Sequence, residues 1–152
     1  MPNNATAKTK WAPRKRLVAA LAAIAVCVIF AGLYATRYRT YVRIGSHAYV
    51  TEIANTPAAQ QQGLSERTSF SSRQAMLFSY TRPQQLCFWM KDMYVSLDMI
   101  WLNADRRVVH IQQNVSPKTY PKAFCAQGQY VLELRAGQAA ASGVQLGQQL
   151  DF

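Results

Sequence analysis

Acidic residues are scarce in this chain, with seven against 17 lysines and arginines over 152 residues, and none precedes Gly45. Histidine occurs only twice, at His47 and His110, in neither an H-x-H nor an H-E-x-x-H arrangement, so the spacing points to no metal site. Cysteine occurs three times and never as C-x-x-C, which leaves a thiol oxidoreductase little support. A Gly-rich phosphate loop, internal repeats and low-complexity tracts are all missing. No serine is singled out as a nucleophile, and a Ser–Lys pair from Ser79 or Ser96 with Lys91 is the nearest approach to one. Nothing in the sequence implies a cofactor.

The net charge of +10 would fit a nucleic-acid binder if it were spread over a folded surface. It is not. Eight of the basic residues lie before Gly45 with no acid among them, whereas the rest of the chain carries nine basic and seven acidic residues. The basic residues flank residues 17–35, an uncharged apolar run long enough, as a helix of about 28 Å, to cross a hydrocarbon core. Five basic residues precede it and three follow, which by the positive-inside rule puts residues 1–16 in the cytoplasm and the remainder across the inner membrane. Trp11 on one side and Tyr34, Tyr38 and Tyr41 on the other suit the interfacial belts. A cleaved signal peptide is the alternative, for which the run is long and a clean A-x-A site is missing. The expected organisation is a cytoplasmic N-terminus (1–16), a transmembrane anchor (17–35), a basic tether (36–46) and a β-rich domain (47–152) facing the periplasm. The inner membrane is then a partner, and nucleic acid is not.

Export governs the cysteines. Cys27 lies inside the apolar run and reads as a small apolar residue. Cys87 and Cys125, the two that remain, are expected to form a structural disulfide, which an oxidising compartment preserves, with two buried free thiols as the alternative.

Hydrophobic patterning then supplies the elements. Residues 47–53 alternate as a strand. Asn55, Thr56 and Pro57 open a short helix that Gly63 stops. Residues 65–74 are loop-like, residues 75–80 form a strand broken at Arg82–Pro83, and residues 86–90 and 97–103 form two more. A turn around Asp105 leads into a strand over 108–115, and a Pro-containing loop precedes one over 129–135. A short Ala-rich helix between Gly137 and Gly143 and a closing strand over 148–152 end the chain. About seven short strands and two short helices favour an α+β, mainly antiparallel domain, barrel-like or sandwich-like, over a parallel βαβ fold.

Several residues in this order resemble one family. They are Gly63-Leu64 followed by Arg67, the MLF at 76–78 followed by Arg82, FWMK at 88–91, and the LDMIWL run containing Asp98. YVLEL with Glu133, Ala136-Gly137 and the closing G-V-x-L-G at 143–147 complete the set. Together they resemble the domain of unknown function 192 family, over roughly residues 48–152. The resemblance implies a compact β-rich domain, often exported or membrane-anchored, and supplies no function. The chain departs from the family pattern in having Asp92 after FWMK in place of Asn, and Asp105-Arg106 at a hairpin in place of Asp-Gly. A left-handed Arg106 would cost about 1 kcal/mol.

The candidate site gathers on residues 86–102. In a strand, Leu86, Phe88 and Met90 face one way, and Cys87, Trp89 and Lys91 the other. Lys91 beside the Trp89 indole could hold an anionic or carbonyl-bearing ligand. Asp98 on an apolar face needs a partner, and the bland alternative is an ion pair with Lys91 or Arg82. Glu133 with Arg67 or Arg82 would complete a cluster able to recognise carboxylates or sugar hydroxyls, or else a satisfied ion network. The expected binding residues are thus Arg67, Arg82, Trp89, Lys91, Asp98 and Glu133. The expected function is a non-enzymatic binding module for a small polar ligand, an envelope glycan or a protein partner. The alternatives are a small periplasmic hydrolase using Lys91 or Asp98, and a structural or assembly factor of the envelope.

Overall fold

The computed structural model describes residues 17–27 and 39–152, with Arg39 described in its backbone alone. The chain divides into two units, Met1–Arg37 and Tyr38–Phe152. In the first, residues 17–27 are helical and exposed. The rest of the expected anchor and the N-terminal 16 residues lie outside the described residues. Among those described, no helix is long and apolar enough to cross a membrane.

The second unit is a single six-stranded sheet with short helices. Its elements in order are β1 (Arg39–Ile44), β2 (His47–Ala54), α1 (Pro57–Gln62), β3 (Gln74–Trp89), β4 (Leu97–Leu102), β5 (Val108–Val115), a 3-10 turn (Pro117–Thr119), β6 (Ala123–Arg135) and α2 (Gln138–Ser142). The strands lie in the order β1-β2-β3-β6-β4-β5. All neighbours are antiparallel except β2 and β3, which run parallel. The α+β, mainly antiparallel class expected from the sequence is therefore present, with one parallel pair. Its crossover is the loop-and-helix segment 55–73, long enough to return the chain without a full-length helix.

Three expectations on the elements are corrected. The supposed tether becomes strand β1 from Arg39, because Val42 and Ile44 alternate inward and are fully buried while Tyr41 and Arg43 stay exposed. The two strands separated at Arg82–Pro83 are one 16-residue strand, β3. Its ladder with β6 slips between Ser79 and Gln84, so residues 80–83 bulge out and Pro83 interrupts no hydrogen-bonded pair. The closing strand over 148–152 is reduced to two isolated bridges, Arg43–Asp151 and Arg107–Gln149. Those bridges, with Val108 N–H donating to Gln148 O at 2.9 Å, tie the C-terminal residues to the outer strands β1 and β5.

Both faces of the sheet are covered. On one, Val42, Ile44, Tyr49, Leu77, Ile100, Leu132 and the C-terminal Val144 and Leu150 form a core. On the other, Leu64, Phe70, Phe78, Leu86, Met99, Trp101 and Val131 form a second. β4 (LDMIWL) is buried at every position because it lies inside the sheet and packs on both sides.

Beyond the bulge, residues 84–89 of β3 and 123–128 of β6 continue as a two-stranded ribbon. A ribbon of that kind is marginal by itself. Two contacts fix this one. Cys87 and Cys125 sit directly opposite each other and form a disulfide, with Cα atoms 4.1 Å apart. Trp101 of β4 donates its indole N–H to Leu86 O at 3.0 Å and meets Phe88 edge-on. Gly128 lies where the ribbon begins, and a Cβ there would stand 2.9 Å from Leu102 O, so only glycine lets β6 approach the end of β4.

Candidate functional site

The sheet carries two buried carboxyls, one on each face, and their surroundings differ. Asp98 is fully buried on the face with Ile100 and Leu102. Its two oxygens each accept a backbone N–H, from Asn114 and Ala139, both at 2.8 Å. Ala139 lies in the first turn of α2, and Asn114 has a positive φ of 54° where β5 bulges against β4. Asp98 therefore fastens two irregular pieces of backbone to the central strand.

Glu133, on the opposite face, is 4% exposed; no side-chain hydrogen bond joins it to another described residue, and its carboxyl oxygens are not sealed from solvent. Burial pushes its carboxyl up to about 8, against a smaller downward pull from the Arg67 guanidinium. At neutral pH it is mostly the uncharged acid. Arg67 itself forms a fork onto Glu52, with N–H···O distances of 2.8 and 2.7 Å. Its pKa is raised, chiefly by that hydrogen-bonded pair. Pairing places Glu52, Met76, Glu133 and Met99 side by side across β2, β3, β6 and β4. Met76 thus separates the two acids laterally, and the Arg67 charge is felt by both.

Glu133 is part of the lining of a cleft of about 350 Å³ between α1 and β3. The α1 wall is set by local sequence. Thr56 caps the helix by accepting Ala59 N–H at 3.2 Å, Pro57 occupies the first turn, and Gly63 ends it. Gly63 has a φ of 50°, and a Cβ there would come within 3.3 Å of the Phe78 ring, so glycine permits both the turn and the close seat on β3. Gln60 pins the helix by donating to Ser79 O at 2.8 Å, where the β3 bulge begins. The opposite wall is aromatic, with Phe78, Tyr80, Phe88 and the 55% exposed Trp89. Phe78 and Phe88 meet edge-on at 4.7 Å. The Tyr80 hydroxyl is raised above its ordinary pKa by burial first and by Glu133 second.

The residues expected to form one site are divided by the fold. Glu133 and Trp89 line the cleft, and Arg67 acts on Glu133 through its charge while committed to Glu52. Lys91 and Arg82 are exposed and outside the cleft lining, Lys91 in the turn after β3 and Arg82 in its bulge. Asp98 is on the far face, and among the described residues no ion pair joins it to Lys91 or Arg82. The expected ion pair is thereby replaced by two backbone hydrogen bonds. Tyr80, Phe88 and the glutamines of α1 were not anticipated. In the sequence the aromatics are indistinguishable from core residues, but three successive glutamines on an uncharged helix are a usable signal. No group of three or more His, Cys, Asp or Glu among the described residues could hold a metal ion.

Comparison with known proteins places residues 40–152 in a match to DUF192, described as an uncharacterised family. No curated protein matches the chain. Among solved structures, one similar protein comes from Sinorhizobium meliloti 1021 and is provisionally named a transcription regulator. It has a TM-score of 0.70 and 30% identity, over 74% of this chain and 92% of that one. A second, from Novosphingobium aromaticivorans DSM 12444 and of unknown function, has a TM-score of 0.70 and 30% identity, over 75% and 85%.

Proposed function

We propose, from the premise that the chain belongs to the DUF192 family, that its folded domain is a binding module taking a small polar ligand in the cleft between α1 and β3. One observation carries this reading. Glu133, a 4% exposed acid with no side-chain hydrogen bond to another described residue, lines a roomy cleft together with aromatic residues, and its carboxyl oxygens reach that cleft instead of being sealed in the core. A largely desolvated carboxyl that opens onto a cleft keeps its acceptor capacity for a ligand, whereas the structural acid Asp98 commits both oxygens to backbone N–H groups. The cleft volume falls in the range of small-molecule sites, and its mixture of aromatic walls with a few amides and one acid is their usual composition.

Anchoring in the inner membrane through residues 17–35, with the domain facing the periplasm, is part of the same proposal. Its support is the asymmetric basic flanks, the uncharged run, and the Cys87–Cys125 disulfide, since such bonds persist in oxidising compartments. The hydrolase alternative loses its motive, because Lys91 lies outside the cleft and both Asp98 oxygens are bonded to backbone.

The test is a thermal-shift screen of the full chain in detergent against sugars, amino acids, amines and carboxylates. The same compounds are then applied to Gln61→Trp, which fills the cleft mouth from an exposed position on α1. At a hundred times Kd a cleft ligand adds about 2.7 kcal/mol of stability, and Gln61→Trp removes that gain. Compounds that stabilise both proteins equally, or none that stabilises the unsubstituted chain, refute the reading.

A further inference from the structure

The cleft's charge pattern narrows the ligand class, an inference that rests on the cleft being a binding site. An anion would need a cation to meet it. The guanidinium nearest Glu133 has two of its nitrogens bonded to Glu52, and Lys91 and Arg82 are not in the lining. Arg67 is committed to Glu52 and offsets Glu133 only in part through its charge, so the acid in the cleft lining has no ion pair of its own among the described residues. That acid accepts no hydrogen bond from another described residue, and a primary ammonium brings three donors. Tyr80, Phe88 and Trp89 line the same cleft, and aromatic ring faces attract a cation.

We infer that the cleft takes a cationic ligand, a primary alkyl- or arylammonium group seated on Glu133, with its carbon body against Tyr80, Phe88 and Trp89. The amide side chains of α1 would meet further polar groups near the mouth.

The proton balance follows. In the empty cleft Glu133 holds a proton, because burial raises its carboxyl to about 8. The incoming ammonium keeps its own three protons, and the acid releases its proton to solvent, leaving an ammonium–carboxylate pair. Below that pKa, binding therefore releases close to one proton and tightens as pH rises. The charged or titratable groups facing Glu133 are Arg67 from the loop after α1 and Tyr80 from β3, with Glu52 of β2 behind Arg67. The neighbours on β3 and β4 paired to Glu133, Met76 and Met99, do not titrate.

Three probes of one shape separate the possibilities: benzylammonium, benzyl alcohol and benzoate. They are titrated into the full chain in detergent micelles at pH 7, with affinities read by NMR from the amides of Gly63, Leu64 and Glu133. The inference expects benzylammonium to bind at least tenfold more tightly than benzyl alcohol, and benzoate to leave the amides unmoved. Glu133→Gln is expected to abolish the ammonium preference while keeping the alcohol's affinity, and Trp89→Ala to weaken both. Equal affinities for ammonium and alcohol overturn the inference and leave the cleft as a site for neutral ligands. A preference that survives Glu133→Gln also overturns it, since the cation would then be held elsewhere. If none of the three shifts the cleft amides, the binding reading fails with it.

Discussion

Replacing Asp98 by alanine tests most directly whether the acid in the LDMIWL strand is structural. The fully buried carboxylate accepts two backbone N–H groups at 2.8 Å. A hydrogen bond to a charged group contributes about 1.5–3 kcal/mol, and a buried donor left without a partner costs about 1–3 kcal/mol. Alanine removes both bonds and strands the Asn114 and Ala139 N–H groups, for a loss of about 3–6 kcal/mol. A domain of this size is stable by roughly 5–15 kcal/mol, so Asp98→Ala will be severely destabilised or unfolded at 37 °C. Asp98→Asn keeps one acceptor oxygen and sets its NH2 against the second N–H, so about half that loss is expected. Lys91→Ala should lie within about 0.5 kcal/mol of the unsubstituted chain, because Lys91 is exposed and makes no ion pair with Asp98. Equilibrium chemical denaturation followed by circular dichroism measures all three. An Asp98→Ala loss below 1 kcal/mol, or a Lys91→Ala loss equal to it, would refute the reasoning and restore the ion pair.

Glu133→Gln should change the pH dependence of stability. The folded carboxyl titrates near 8 and the unfolded one near 4.5, so between those values the folded state holds the extra proton and stability falls as pH rises. The fall is roughly 3–5 kcal/mol, and denaturation midpoints from pH 5 to 8.5 should show it in the parent and not in Glu133→Gln. Replacing both Cys87 and Cys125 with alanine removes a link across 38 residues. The expected cost is about 4 kcal/mol in the chain-entropy model, read as a shift in denaturation midpoint that a reducing agent reproduces in the parent. Asp92→Gly should stabilise by about 0.5–1 kcal/mol, since Asp92 is exposed with a φ of 55°, and no change or a loss in the denaturation midpoint would count against it.

Local signals carried the fold well wherever a turn or cap has its own chemistry. The Thr56–Pro57 start and Gly63 stop of α1 appear at the expected residues, and so does the β2 strand, in which Tyr49 and Thr51 alternate inward. Arg106 does adopt the left-handed conformation, with φ of 60°, and Asn103 supports that turn by accepting the N–H groups of Asp105 and Arg107. Asp92, the other departure from the family pattern, also has positive φ. What failed were inferences needing tertiary context. Arg39 and Arg43 made β1 look like a tether, although Val42 and Ile44 were alternating inward. Arg82–Pro83 resembled a strand break because a bulge tolerates proline as readily as a loop does.

The site was half legible for a reason that lies in the period of a strand. Side chains of one strand alternate between faces, so residue type identifies an out-of-place acid but not which neighbour meets it. Asp98 and Glu133 both stood out as acids in apolar strands. β4 and β6 are adjacent, and Asp98 pairs with Leu134 while Glu133 pairs with Met99. Because paired positions point to the same face, Asp98 and Glu133, one step out of register, must point to opposite faces. A single residue of register therefore decides that one acid is enclosed by backbone N–H groups and the other opens onto an aromatic cleft. The sequence contains both acids, and the β4–β6 pairing assigns their roles. A one-residue slip of that pairing would put both carboxyls on one face, leaving α2 without its anchor, and the full burial of β4 on both sides is what prevents it.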